Sequence, residues 1–242
     1  MCTVTYIPQS NNNFILTSNR DEAAHRSPQS LTKIVLHGVE LVFPKDAGAG
    51  GTWVAAANDG RVVCLLNGAF EKHKHQPPYR RSRGIMVLDY FKYKSTNDFF
   101  EHYDFEGMEP FTFVLVGHNE LHELRWDEND AHLKELNTKG FYLWSSATLY
   151  TPEVRLEREE WFQDWLKDRN DFSLSAIQDF HFNGGKKDDW NGFIMNRMNL
   201  VQTVSVTNVV KKVDRMEMIY HDLLRENILR VHIFKKKEKA SF

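Results

Sequence analysis

Residues 52–68 read TWVAAANDGRVVCLLNG. Two apolar runs, Thr52–Ala57 and Arg61–Leu66, flank Asn58-Asp59-Gly60. Asn, Asp and Gly tolerate the backbone conformations of a tight turn, so this grammar predicts a β-hairpin. A two-residue turn at Asp59-Gly60 would set Thr52 opposite Asn67. The same pattern recurs on either side. Thr3–Ile7 alternates, and Phe14–Ser18 returns after the polar loop Pro8–Asn13. Thr32–Leu36 and Val39–Phe43 flank His37-Gly38. Strand patterns resume over 111–117, 120–126 and 141–146, and a last pair covers 199–213 and 215–224.

Helical stretches punctuate this run of strands. Residues 82–93 and 95–103 read as helices, the second capped by Ser95 or Thr96. Residues 152–168 form the clearest helix, with Pro152 in its first turn. Val154, Trp161, Phe162 and Trp165 fall on one face there and read as core. Residues 173–182 make a fourth. Residues 235–240, KKKEKA, read as a solvated tail. There is no internal repeat and no linker. Strands joined by local hairpins, followed by helices, predict one α+β domain over 1–242 with stacked antiparallel sheets.

Totals exclude several function classes. At 242 residues with 41% hydrophobic and 13% aromatic side chains, the chain can build one sizeable core. A net charge of -2 provides no field for a polyanion, so no nucleic-acid partner is expected. No apolar stretch nears the roughly 20 residues of a membrane span. No basic start leads into an apolar run, so no secretory leader is expected. A cytoplasmic location follows as the expectation. Two cysteines make no disulfide framework. Cys64, inside VVCLL, reads as a small buried hydrophobe. The sequence is silent on oligomeric state.

The other cysteine carries the chemistry. Cys2 follows the initiator methionine, and a small residue there normally permits methionine removal. The mature chain would then carry a thiol and a free α-amine on one residue. That amine has a reference pKa of about 7.7–8.0 and can act as base near neutrality. Symmetric closure of the first hairpin would pair Cys2 roughly with Asn19. Arg20 and Asp21 would then lie beside the N-terminus, cross-strand neighbours being about 5 Å apart. Asp21 would hold the amine and Arg20 would stabilise the thiolate. Asn67 would donate to the tetrahedral oxyanion. No cofactor is needed.

These residues resemble the NRDE, or transport and Golgi organisation 2, family. MCTVTYI, FILTSNRDE, GGTWVAAANDGRVVCLLNG, RSRG and SSATLYTPEVR each resemble a family block, together running from residue 1 to about 155. Asn19, Arg20, Asp21 and Glu22 spell the name. The family is similar to N-terminal nucleophile hydrolases of the choloylglycine hydrolase and penicillin V acylase group. That resemblance implies a four-layer αββα sandwich and hydrolysis of a linear, non-peptide amide. It also implies Cys2 as nucleophile, Arg20 and Asp21 beside it, and Asn67 at the oxyanion. This chain departs from the pattern twice. Ser145-Ser146 stands where the family has Ser-Asn, and Thr203-Val204-Ser205 where it has Thr-Arg-Ser.

The expected substrate is a small acylated or carboxylated amide, with Asn19, Thr52, Ser145, Ser146 and Arg83 around it. The basic loop HKHQPPYRRSRG, which contains Arg83, offers cations for an anionic group. Its histidines, with His25 and His37, fit no standard zinc spacing, so no metal is expected. Trp190 and Phe193 are candidates to line or cover a pocket. The two departures also motivate a second function class: a non-catalytic carrier of a small hydrophobic or haem-like ligand.

Overall fold

The computed structural model describes residues 3–167 and 169–235. Cys2 and almost all of the charged tail lie outside the described residues. The chain begins with a hairpin of β1 (Thr3–Gln9) and β2 (Asn13–Glu22). It then winds a meander of seven strands. These are β3 (Leu31–Leu36), β4 (Val39–Pro44), β5 (Val54–Ala57), β6 (Val62–Asn67), β7 (Phe111–Val116), β8 (Leu121–Trp126) and β9 (Ala131–Leu136). Helices α1 (Arg83–Asp89) and α2 (Thr96–His102) interrupt the meander between β6 and β7 and pack on it. Strand β10 (Tyr142–Ser145) returns to the first hairpin.

Helices α3 (Pro152–Leu166) and α4 (Leu174–Asn183) follow, then β11 (Asn196–Arg197), β12 (Val201–Lys211), β13 (Arg215–Asp222) and β14 (Asn227–Lys235). The second sheet has the order β10-β1-β2-β12-β13-β14, with β11 paired to β12. All pairings in both sheets are antiparallel. The result is an αββα sandwich. Strand alternation explains it. Val4, Tyr6, Phe14 and Leu16 face the other sheet, and Ile7 and Ile15 face α3 and α4. The chain's first described residues therefore sit inside a sheet, between β10 and β2, rather than at a free edge.

Two registers differ by one residue from the sequence expectation, for one physical reason. Both turns contain three residues. Gln9 pairs with Asn13 across Ser10–Asn12, and Asn11 and Asn12 take left-handed φ of 59° and 57°. Thr3, not Cys2, therefore lies opposite Asn19. In the second hairpin the Ala57 N–H donates to the Arg61 carbonyl at 2.9 Å, spanning Asn58–Gly60, with Gly60 at φ 96°. Val54 then pairs with Cys64, which sets Thr52 level with Leu66 rather than Asn67. A one-residue slip exchanges the faces of a strand, so this matters for the site.

Strands β9 and β14 have no counterpart in the sequence reading. Both are sheet edges with charged, half-solvated faces, where the apolar alternation that betrays a strand is diluted. The expected last pair of strands is therefore three. On α3 the expected core face is real but differently composed. Phe162 is fully buried, Val154, Trp161 and Trp165 are half-buried, and the other buried residue is Arg158. Thr151 caps this helix, as Ser95 caps α2 and Ser173 caps α4.

Candidate active site

Alternation along β2 divides the Asn-Arg-Asp-Glu motif between two faces. Arg20 and Glu22 point between the sheets; Asn19 and Asp21 point toward α3 and α4. Arg20 and Asp21 thus form no ion pair. The partner of Arg20 is Asp46, and the two side chains are 4% and 5% exposed. Glu22 lies 3.6 Å from the Arg20 guanidinium. Arg26 braces both acids, at 2.5 Å from Glu22 and 2.7 Å from Asp46. The Asp46 carboxylate also accepts from the Gly48 and Ala49 N–H groups at 2.9 and 2.8 Å. Burial alone would raise the Asp46 pKa. The Ala49 N–H, Arg20 and Arg26 outweigh it and hold the carboxyl below the ordinary range. The Arg20 guanidinium lies 4.0 Å from the centre of the Trp53 ring.

On the opposite face, Asp21 accepts from the Tyr150 hydroxyl at 3.0 Å and the Thr203 hydroxyl at 2.6 Å. Asn19 is fully buried and donates to the carbonyls of Phe193 and His181 at 2.8 and 3.2 Å. Those two bonds fix its amide orientation, so its oxygen accepts from His181 Nδ1 at 2.6 Å. His181 Nε2 must then accept from the Thr5 hydroxyl, 2.7 Å away. Burial, followed by the charge of Arg158, pushes His181 down to about 3, so the ring is neutral. Asn19 therefore locks β2 to α4. Its amide is spent on protein and does not face the cleft.

A cleft of about 450 Å³ opens at this end of the sandwich, lined among others by Arg20, Thr52, Trp53, Asn67, Arg83 and Glu109. Thr52 is held from both sides. Its hydroxyl donates to the Pro44 carbonyl at 2.8 Å, and its N–H donates to the Gly84 carbonyl at 3.0 Å. This contact joins the GGTW and RSRG blocks. It needs Gly51, where a Cβ would lie 2.4 Å from the Gly84 carbonyl carbon. Gly51→Ala is accordingly expected to push α1 away from β5 at a cost of about 2 kcal/mol. A urea midpoint equal to wild type would show that the two backbones do not touch.

The arginines of the basic loop are already engaged. Arg83 meets Glu109 at 2.8 Å and donates to the Pro110 carbonyl at 2.7 Å. Arg81 pairs with Asp89. His73 and His75 lie 3.1 and 3.4 Å from the same Glu109. An incoming anion at Arg83 would have to displace Glu109. Trp190 and Phe193 do not line the cleft. Phe193 is buried against α3 and α4, and Trp190 is half exposed beneath Arg197.

Asn67 reaches the site through β10. Ser145 pairs with Thr3 on β1. Its neighbour Ser146, fully buried, donates its hydroxyl to the Asn67 carbonyl at 2.9 Å. Thr3, Ser145, Ser146 and Asn67 thus form a continuous bridge between the sheets. Ser146 is spent on that bridge. The Ser145 hydroxyl is buried with no hydrogen-bond partner among the described residues. The Asn67 side-chain amide has no hydrogen bond among the described residues and lines the cleft. Val204 falls in a β-bulge between Thr203 and Ser205. Arg197, which sequence alone does not place, donates to the Trp190 and Leu149 carbonyls.

Sequence reasoning missed Asp46, Arg26 and Arg158. No local pattern marks Asp46, whose partner Arg20 is 26 residues away. Arg158 did leave a signal: it lies four residues after Val154 and four before Phe162, inside the apolar stripe of α3.

The family model described as Transport and Golgi organisation 2 matches residues 1–189. No curated protein sequence matches the chain. Among solved structures, the Caenorhabditis elegans ortholog of N-acylethanolamine-hydrolyzing acid amidase superimposes with a TM-score of 0.58 at 15% identity, covering 86% of this chain and 92% of the other. Two variants of conjugated bile acid hydrolase from Clostridium perfringens superimpose with TM-scores of 0.58 and 0.54, each at 9% identity, covering 96% of this chain and 92% of the other. At these identities the likeness establishes a shared fold.

Proposed function

Because the chain belongs to the Transport and Golgi organisation 2 family, we propose that it is an N-terminal-cysteine amidohydrolase within that family. Its substrate is a small acylated or carboxylated amide. One observation carries this reading. Cys2 directly precedes Thr3, which is paired between Asn19 and Ser145 at the sheet end where Arg20 and Asn67 line a cleft. The neighbours in this fold are named for cleaving N-acylethanolamines and conjugated bile acids, both amides.

After removal of Met1, the thiol proton passes to the α-amine and the thiolate attacks the substrate carbonyl carbon. The Asn67 amide donates to the oxyanion, its hydrogen-bonding capacity unspent on the described residues. The protonated amine delivers its proton to the leaving nitrogen as the C–N bond breaks. Water then hydrolyses the thioester, with the amine again taking the proton. Asp21, aligned by Tyr150 and Thr203, sits one strand away on the face shared with Thr3. Arg20 holds its place in the cleft wall through Asp46.

The charges of the cleft weigh against a carrier of hydrophobic or haem-like ligands. Arg20, Arg26, Arg83, Glu22, Asp46 and Glu109 occupy its walls, leaving little apolar surface for such a molecule. The test is turnover of a panel of short- and long-chain acyl amides. Asn67→Ala is expected to lower kcat by roughly 10²–10³-fold with little change in KM. Undiminished kcat in that variant, or ligand retention with no turnover by the wild type, overturns the assignment.

A further inference from the structure

Arg158 is fully buried, yet among the described residues no carboxylate lies within ion-pair distance of it. A desolvated charge without a counter-ion is costly and persists only where other groups compensate it. Here Nε and Nη2 donate to the Asn191 carbonyl at 3.2 and 2.9 Å, Nη2 donates to the Gly192 carbonyl at 2.6 Å, and Nη1 donates to the Thr3 hydroxyl. The guanidinium also lies 3.7 Å from the centre of the Tyr150 ring, whose hydroxyl donates to Asp21. One cation from α3 thus holds the first described residue of β1, the loop at 191–192, and the ring that aligns Asp21.

A purely structural brace here would be better made by an apolar residue, as Val154 and Phe162 on the same stripe suggest. The geometry points to a second role. We propose that Arg158 is a positioning residue for the N-terminus: it fixes Thr3, and its charge, met by carbonyls and a hydroxyl rather than by a carboxylate among the described residues, favours the thiolate and the uncharged amine of Cys2. This rests on the reading of Cys2 as nucleophile. Other charged and titratable groups lie around Thr3. Asp21 on β2 pulls the amine the other way, toward its charged form. Arg20 acts from the inner face of β2, Arg197 lies beyond Tyr150 at 5.4 Å from its ring, Cys64 lies on β6 in the other sheet, and Tyr150 and His181 lie toward the helices. His181 is neutral and adds no charge.

The experiment is the pH dependence of Cys2 alkylation by iodoacetamide, followed by peptide mass spectrometry. Cys64, fully buried, serves as the unreactive internal control. Arg158→Met is expected to raise the midpoint by about one pH unit, and Arg158→Lys to restore most of that shift. A wild-type midpoint in Arg158→Met, with only a lowered melting temperature, overturns the electrostatic role. Thr3→Val keeps the charge and the volume and provides a check that does not depend on the fold of the first variant. It should leave the midpoint in place and lower the plateau alkylation rate or kcat by roughly tenfold. Wild-type values there overturn the anchoring role. Alkylation needs no turnover. A wild type that cleaves no amide would therefore sink the proposed function alone, with the midpoint shift still readable.

Discussion

Cys2→Ala is expected to abolish amide hydrolysis, by on the order of 10⁴-fold or more, while melting within a degree or two of wild type. The size of the loss follows from the absence of a substitute. Cys64 is the other cysteine, and it is fully buried on β6. Burial pushes its thiol up to about 12, so it offers no thiolate at neutral pH. Three neighbouring hydroxyls are also spent. Ser146 and Thr52 donate to carbonyls, and Thr203 donates to Asp21. The variant should therefore retain only what binding and oxyanion contacts provide. Undiminished turnover would place the nucleophile elsewhere.

The second large effect is on stability. Asp46→Ala is expected to cost about 3 kcal/mol, because it leaves Arg20 buried with only the more distant Glu22. For a chain of this size that is a fall of about 6–12 °C in melting temperature. The effect carries a pH signature. The folded-state pKa of Asp46 is depressed, so its contribution is present above the unfolded carboxyl value of about 3.9 and is lost as pH falls through the lower folded value. The gap between wild type and Asp46→Asn should be widest near pH 6–7 and should narrow below about pH 4. Equal melting temperatures at neutral pH would show that the Arg20–Asp46 pair is not what holds this end of the sandwich.

How much was legible in the sequence depends on how local each cause is. Hairpins were readable because their turn residues and their strands are adjacent: His37-Gly38 and Asn58–Gly60 are turns, both with left-handed residues. Register was not, because a two- and a three-residue turn differ by one residue that the composition of the turn does not settle. That single residue decides whether Thr3 or Cys2 faces Asn19. The separation of Arg20 from Asp21 was legible in principle, since neighbours on a strand point to opposite faces. Reading the pair as one unit overlooked it. Asp46 could not be found, because nothing near it in sequence reveals that the loop folds back on β2. Arg158 was visible as a cation in an apolar stripe, the kind of local inconsistency that tends to mark a site. The edge strands β9 and β14 were lost because solvent, not core, sets the composition of one of their faces.

The proposed site at the first residues requires a fixed base, and the fold provides one at Thr3. Terminal residues are ordinarily frayed. Here β1 is bonded on both sides, to β10 and β2, and Thr3 is held from α3 as well. A nucleophile attached to such a strand starts from a fixed point. Asn67 is delivered to the same point from the other sheet by the Ser146 bridge.

The most direct test of this account is the intact mass of the purified, tag-free protein, before and after brief exposure to an acyl amide. The expected result is a chain lacking Met1, and an added acyl group that maps to Cys2 and disappears on further incubation. A chain that retains Met1 throughout has no free amine on Cys2, and that result would contradict the central claim.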